Sequence, residues 1–194
     1  KKRFDESGIK PEMIKSLSDL KNLPFTTKED LRDNYPFGLF AEPMKNVVRL
    51  HASSGTTGKP VVAGYTKGDI EVWSEAIARI VTAGGIDEND VVQISFGYGL
   101  FTGGFGLHYG IEKVGATIVP MSSGNTQKQL MLMQDFGTTA LVATPSYAMY
   151  LSEMIKEKGI PRDNFKLKYG FFGSEAMSEK MREKLEDSMG ILVT

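Results

Sequence analysis

Apolar positions along the chain follow two rhythms. Short apolar runs recur at 47–52, 61–65, 91–95, 116–119, 140–143, 169–172 and 191–193, each the length of one strand. Between them the spacing lengthens. Ile70, Trp73, Ile77 and Ile80 lie three, four and three residues apart, which makes one apolar stripe on a helix. That helix is predicted to start at Thr66-Lys-Gly-Asp69, where a hydroxyl and an acid at capping-box spacing can satisfy each other's backbone, and to stop at Gly84-Gly85. Further helices are expected over 103–114, over 126–136 with Gln129 at the capping-box position, after Thr144 with Pro145 in the first turn, and over 178–188.

Strands alternating with helices imply right-handed crossovers and a largely parallel sheet covered on both faces, so the fold class is α/β. Ligands in open α/β sheets gather beyond the carboxyl ends of the strands. The segments after Ser95, Ala143 and Phe172 are therefore the places where a site is expected. Residues 1–46 have another texture: polar, interrupted by Pro11, Pro24, Pro36 and Pro43, and suited to short helices. Thr26-Thr-Lys-Glu-Asp30 sets a threonine three residues before an acid twice over. The chain thus reads as a mostly helical or irregular leader, 1–46, and an α/β portion, 47–194.

Composition narrows the function classes. The 194 residues are 41% hydrophobic and 24% charged, as in a soluble globular protein with a sizeable core. A formal net charge of −1 gives no global attraction to nucleic acid or anionic lipid. The cluster Ser178-Glu-Lys-Met-Arg-Glu-Lys184 reads as a solvated helix face. There is no cysteine, so disulfides, thiolate metal sites and a cysteine nucleophile are excluded. No apolar run approaches the ~18–20 residues that span a bilayer. The start, KKRFDESGIKPE, has basic residues without an apolar segment behind them, unlike a signal peptide, and it lacks an initiator Met.

One loop carries concentrated chemistry. Ser53, Ser54, Gly55, Thr56, Thr57, Gly58 and Lys59 lie between the first two strands. Glycines can take positive φ and turn N–H groups inward to form an anion-binding concavity. Four hydroxyls add donors and Lys59 adds a point charge, a set suited to phosphate oxygens. The plainer alternative is a polar turn, since Ser, Thr and Gly are common turn residues. A Walker A loop does not fit. Two residues rather than four separate the glycines, Pro60 occupies the place of the magnesium-binding hydroxyl, and a strand rather than a helix follows.

The stretch SSGTTGKP resembles the phosphate loop of the adenylate-forming superfamily, which comprises acyl-CoA synthetases, peptide-synthetase adenylation domains and luciferases. Leu23-Pro-Phe-Thr-Thr-Lys28, Asp30-Leu-Arg-Asp-Asn-Tyr-Pro-Phe-Gly-Leu39, Arg49-Leu-His-Ala-Ser-Ser54, Phe96-Gly-Tyr-Gly-Leu-Phe-Thr-Gly-Gly104 and His108-Tyr-Gly110 are similar to the phenylacetate-CoA ligases within it. The likeness runs over essentially the whole chain. It implies a two-step reaction. A carboxylate attacks the α-phosphorus of ATP, giving an acyl-adenylate and pyrophosphate; CoA thiol then displaces AMP to give a thioester. ATP, Mg²⁺ and CoA are the implied cofactor and substrates, and an aryl acid such as phenylacetate is the implied partner.

The resemblance also distributes roles. Ser53 to Lys59 would grip the β- and γ-phosphates. Gly173, Ser174 and Glu175 occupy the place of the adenine-binding turn, although Ala176 and Met177 depart from the more usual Pro-Trp. Tyr98, Phe101, Gly103 and Gly104 would border the acyl pocket, with aromatic rings as a flat wall and glycines leaving room. Read from the residues alone, Tyr98 and Phe101 could equally be core aromatics, and Gly173-Ser-Glu175 a helix-entry loop. His108 has three readings: a packed core histidine, a polar group of the pocket, or a metal ligand. The last is weak without cysteine and with one distant second histidine. Pro145 is given structural duty only.

No metal site and no catalytic side chain are assigned within the chain. The family's magnesium-binding Glu, ribose-binding Asp, hinge and small C-terminal domain with its adenylation lysine would follow Thr194. The expectation is therefore the N-terminal portion of a cytoplasmic ligase, inactive by itself. The last strand, 191–193, would leave an open sheet edge that invites homodimerisation or aggregation. Two other readings stand beside it: a related synthetase that adenylylates a deazaflavin coenzyme, and a non-catalytic nucleotide-binding module.

Overall fold

The computed structural model describes residues 2–55, 58–100 and 102–194. The chain divides into two compact units, Lys1–Ala41 with Ser53–Val62, and Glu42–Ala52 with Ala63–Thr194.

The first unit is built from short helices and turns. Helix α1 covers Lys2–Glu6 and α2 covers Lys28–Asp33. Of the two candidate capping threonines, Thr27 does the work: its backbone N–H donates to Asp30 Oδ2 at 2.7 Å, and its hydroxyl accepts from the Asp30 N–H at 3.5 Å. Arg3 reaches Asp30 Oδ1 at 2.6 Å, which ties the two helices together.

The second unit carries the sheet. Strand β1 (Val47–Ala52) pairs with β2 (Val62–Thr66) as a two-stranded ribbon. Helix α3 (Lys67–Ala83) follows, with Thr66 and Asp69 forming the expected capping box. Next come β3 (Val91–Ile94), α4 (Gly103–Val114), β4 (Thr117–Val119), α5 (Thr126–Asp135), β5 (Ala140–Ala143), α6 (Pro145–Glu157), β6 (Tyr169–Phe172), α7 (Glu179–Met189) and β7 (Leu192–Val193). The last five strands form one parallel sheet in the order β4-β3-β5-β6-β7. Gln93 lies opposite Leu141, and Leu141 opposite Gly170.

Strand alternation sends side chains to two separate cores. Ala140 and Val142 join Val81, Ile86, Val92, Ile94 and Ile111 beneath α3 and α4. Leu141 and Ala143 join Leu130, Met133, Leu151 and Leu185 beneath α5, α6 and α7. Burial on both faces is what a parallel sheet requires, and it explains the near-continuous apolar run Ala140-Leu-Val-Ala143.

Glycines in α4 set the contact between α3 and α4. A methyl group on Gly106 would lie 2.2 Å from Trp73 Cζ2, and one on Gly110 would lie 2.3 Å from Ile77 Cγ2. These two glycines let the helices approach; the sequence marks Gly103 and Gly104 for a pocket and gives Gly106 and Gly110 no such role. Replacing Gly by Ala in a helix interior normally stabilises by roughly 0.5–1 kcal/mol. Here overpacking should reverse the sign. Gly110→Ala is expected to lower stability by about 1–3 kcal/mol. Gly68→Ala, in the first turn of α3 with its nearest neighbour 3.7 Å away, should be neutral or stabilising. Denaturant melts of the two variants check this.

Candidate functional site

Because the five strands are parallel, their carboxyl ends and the loops that leave them share one edge of the sheet. Three loops matter there: 95–102 after β3, 120–125 after β4, and 173–178 after β6.

The first two loops are fastened from below by buried amides that the sequence reading did not recognise. Gln93 on β3 and Gln129 on α5 are both fully buried. Gln93 Nε2 donates to Gln129 Oε1 at 2.6 Å, and the Ser95 hydroxyl donates to the same oxygen at 2.9 Å. Gln129 Nε2 in turn donates to the carbonyls of Ser122 and Gly124, at 2.7 and 3.2 Å. Gln129 therefore faces inward and is no capping-box residue. The cap of α5 is Asn125, whose Oδ1 accepts from the Lys128 N–H. A glutamine in the middle of the apolar run Val91-Val-Gln-Ile94 was the available signal. Its partner, 36 residues away, lies in a polar stretch that reads as helix surface.

The network reaches the loop after β3. Ser122 Oγ accepts from the Tyr98 N–H at 3.3 Å. The Tyr98 hydroxyl lies 3.2 Å from His108 Nδ1, and His108 Nε2 lies 3.4 Å from Glu112 Oε1. Tyr98 and His108 share one hydrogen bond whose donor depends on the imidazole tautomer. His108 is thus a partly buried partner of Tyr98. Among the described residues no group of three or more His, Asp or Glu could hold a metal. Burial, with the negative charge of Glu112 nearby, pushes the Tyr98 phenol up to about 12.

Glycines expected beside an acyl group separate in space. Gly104 lies beneath Tyr98: a methyl there would come within 2.9 Å of the Gly97 carbonyl and 3.3 Å of the Tyr98 ring. Gly103 instead lines a cavity of about 320 Å³, whose walls include Trp73, Ile77, Phe96, Leu107 and Phe171. Gly173 and Ser174 line the same cavity. Its lining is mostly apolar, the kind of concavity that suits an acyl chain or ring. Phe101, expected to join Tyr98 as a wall, lies outside the described residues.

The turn Gly173-Ser-Glu175 is tethered twice. The Gly173 N–H donates to the Ala143 carbonyl at 3.2 Å, and Glu175 accepts from both the N–H and the hydroxyl of Ser146. Ser174 sits at φ 69°, in the left-handed region.

The loop between β1 and β2 belongs to the first unit. The Ser53 N–H donates to the Val61 carbonyl at 3.0 Å, and the Val61 N–H donates to Ser53 Oγ at 2.9 Å, closing the base of the loop. Gly58 N–H donates to the Gly55 carbonyl at 3.0 Å. Gly55 has φ 66°, and a methyl there would meet the Gly58 carbonyl at 3.0 Å, so glycine is required. Ser53, Ser54, Gly58 and Lys59 are exposed. The Lys59 ammonium lies 5.5 Å from the Tyr35 ring centroid, and no carboxylate among the described residues pairs with it. Thr56 and Thr57, the other two expected phosphate ligands, lie outside the described residues.

The fold is shared with CoA ligases of solved structure. A 2-hydroxyisobutyryl-CoA ligase in complex with 2-HIB-AMP and CoA superposes on 99% of this chain and 43% of its own, with a TM-score of 0.91 at 29% identity. Apo MatB from Rhodopseudomonas palustris, at 15% identity, shares the fold over 78% of the chain with a TM-score of 0.59. No protein-family model matches. In sequence the chain matches phenylacetate-coenzyme A ligases over 98% of its length. It is 49% identical to that of Pseudomonas putida, 51% to that of Aromatoleum evansii and 48% to that of Escherichia coli K12. The chain spans 43–44% of the length of these curated relatives.

Two outcomes follow from this geometry. Gln129→Met removes one acceptor and two donors from a buried network, and should destabilise by about 2–3 kcal/mol in a denaturant melt. Tyr98 should ionise near pH 12 in an ultraviolet titration, and Tyr98→Phe should delete that late step. Because the folded value lies above the unfolded one of 10.0, the protonated phenol favours the fold below pH 10 and that preference is lost as pH climbs toward about 12.

Proposed function

We infer that this chain forms the ATP- and acyl-binding portion of an AMP-forming ligase that converts an aryl acid, phenylacetate, to its CoA thioester. The observation that carries this reading is the near-half identity to phenylacetate-CoA ligases across 98% of the chain. The same relatives favour thioester formation over adenylylation of a deazaflavin, and over a module that binds nucleotide without chemistry.

The chemistry suits what the chain offers. A carboxylic acid is already ionised at neutral pH, so its attack on the α-phosphorus needs no general base. The P–O bond to the β-phosphate breaks as the acyl–phosphate bond forms, and the electron pair leaves with pyrophosphate. The CoA sulfur then attacks the acyl carbon, and AMP departs with the bonding electrons. Catalysis of the first step lies mainly in positioning and in stabilising the spreading negative charge. Ser53, Ser54, Thr56, Thr57 and Lys59, with the N–H groups of Gly55 and Gly58, supply donors for the departing phosphates. Gly173, Ser174 and Glu175 belong to the turn that receives adenine. The apolar cavity beside Gly103 takes the aryl ring, and Tyr98, Phe101 and Gly104 border the acyl group.

Magnesium enters on the nucleotide as MgATP. The described residues hold no cluster that fits it, and no role for it is assigned to them. Among the described residues no helix is long and apolar enough to cross a membrane, and dependence on ATP and CoA argues for a cytoplasmic setting.

Acid-dependent exchange of pyrophosphate into ATP by the intact protein tests this function. Phenylacetate should support exchange, and adding CoA should yield phenylacetyl-CoA and AMP. Lys59→Ala should reduce exchange by about 10²-fold while leaving the thermal midpoint within a few degrees, because the side chain is exposed and pairs with no described carboxylate. Exchange that is independent of any carboxylic acid would overturn the reading.

A further inference from the structure

The carboxylate of Glu175 does something that neither its place in the adenine turn nor its exposure suggests. Both of its oxygens are committed to one residue, Ser146, 29 positions earlier: Oε1 accepts from the hydroxyl at 2.9 Å and Oε2 from the backbone N–H at 3.2 Å. Ser146 lies in the first turn of α6, where backbone donors have no partner within the helix. Pro145 has no N–H to satisfy, and Thr144 accepts from the Tyr147 N–H at 3.3 Å, so Glu175 takes the donor that remains between them. The positive end of a 13-residue helix favours the negative charge there. At the other end of the turn the Gly173 N–H is held by the Ala143 carbonyl. Ser174, pinned between these two tethers, is kept at φ 69° on the wall of the apolar cavity.

We propose that Glu175 is a positioning residue for the nucleotide base: its carboxylate, bound to the amino end of α6, holds the 173–175 turn so that the backbone groups of Gly173 and Ser174, and not the Glu175 side chain, meet the adenine. This rests on the ligase reading above. A carboxylate with both oxygens bonded to Ser146 is oriented by that contact, and adenine contacts through the main chain do not depend on the side chains of Ala176 and Met177.

The test is steady-state kinetics of the intact protein with phenylacetate, MgATP and CoA, together with ATP–pyrophosphate exchange. Glu175→Ala should raise the KM for ATP about tenfold while kcat and the KM values for phenylacetate, CoA and pyrophosphate stay within about twofold. Glu175→Gln should restore most of the loss, since its amide can accept from the Ser146 N–H and donate to the Ser146 hydroxyl. Ser146→Ala, which deletes one of the two bonds and is the milder probe if Glu175→Ala folds poorly, should give a smaller rise. Adding it to Glu175→Ala should worsen nothing further, as expected for residues acting through one contact. If Glu175→Ala leaves the KM for ATP unchanged in a protein whose wild type exchanges pyrophosphate, the positioning role is wrong and the ligase reading survives. If the effects of Ser146→Ala and Glu175→Ala on the KM for ATP add fully in the double variant, the carboxylate acts on the nucleotide independently of Ser146 and the positioning role is likewise wrong. A wild type with no acid-dependent exchange removes both.

Discussion

Parallel pairing of very short strands is the constraint on which the second unit depends. Strands of two to four residues leave little freedom in where a loop begins, and a common direction sends every carboxyl-end loop to one edge. The apolar cavity, the Tyr98 loop and the 173–175 turn meet that edge for this reason rather than through any affinity between them. Register does the finer placement. With Val142 opposite both Ile94 and Phe171, the residues that end β3, β5 and β6 are aligned across the sheet. The backbone bonds from Ser95 and Gly173, to the carbonyls of Val142 and Ala143, carry that alignment into the loops.

Two kinds of packing convert that alignment into a shaped site. Beneath α3 and α4 the fit is steric: Gly106 and Gly110 admit Trp73 and Ile77, and Trp73 and Ile77 then form part of the cavity wall. Beneath α5 it is polar: Gln129 is oriented by Gln93 and Ser95 and holds the carbonyls of the 120–125 loop, which in turn supports Tyr98. A buried amide costs stability unless its bonds are made, and fully made it specifies one arrangement. The loops of an enzyme gain from that kind of specification more than from additional apolar area.

Much of this was legible in the residues, and the exceptions share a physical cause. Strand positions could be read because a sheet buried on both faces needs unbroken apolar runs. The caps at Thr66 and Thr144 could be read because a cap is a local bargain between residues three apart. Contacts made across tens of residues could not. Gln129 looked like part of a cap because its partner, Gln93, is on another element; nothing local marked Gly106 and Gly110 as contacts because Trp73 and Ile77 are on another helix; and the bonds between Glu175 and Ser146 could not be read because the two are 29 positions apart. Likewise, the break in texture at residue 46 was visible, whereas the grouping of the 53–62 loop with the first 41 residues depends on tertiary contacts. The turn at Gly55 was the most legible feature of the 53–59 loop, because glycine at φ 66° is written into a single position.

On the ligase reading, the composition of the chain also becomes intelligible. It has no cysteine and two histidines, one buried among Tyr65, Trp73 and Phe105 and the other engaged with Tyr98 and Glu112. That is a poor inventory for acid–base or covalent catalysis. It is sufficient for adenylation, where the nucleophile arrives already charged and the leaving group is a good one, so the barrier lies in bringing two anions together. Donors that are fixed before the substrate arrives lower such a barrier without reorganising. Backbone N–H groups in glycine turns meet that need better than flexible side chains, because the fold has already met the entropy cost of ordering them.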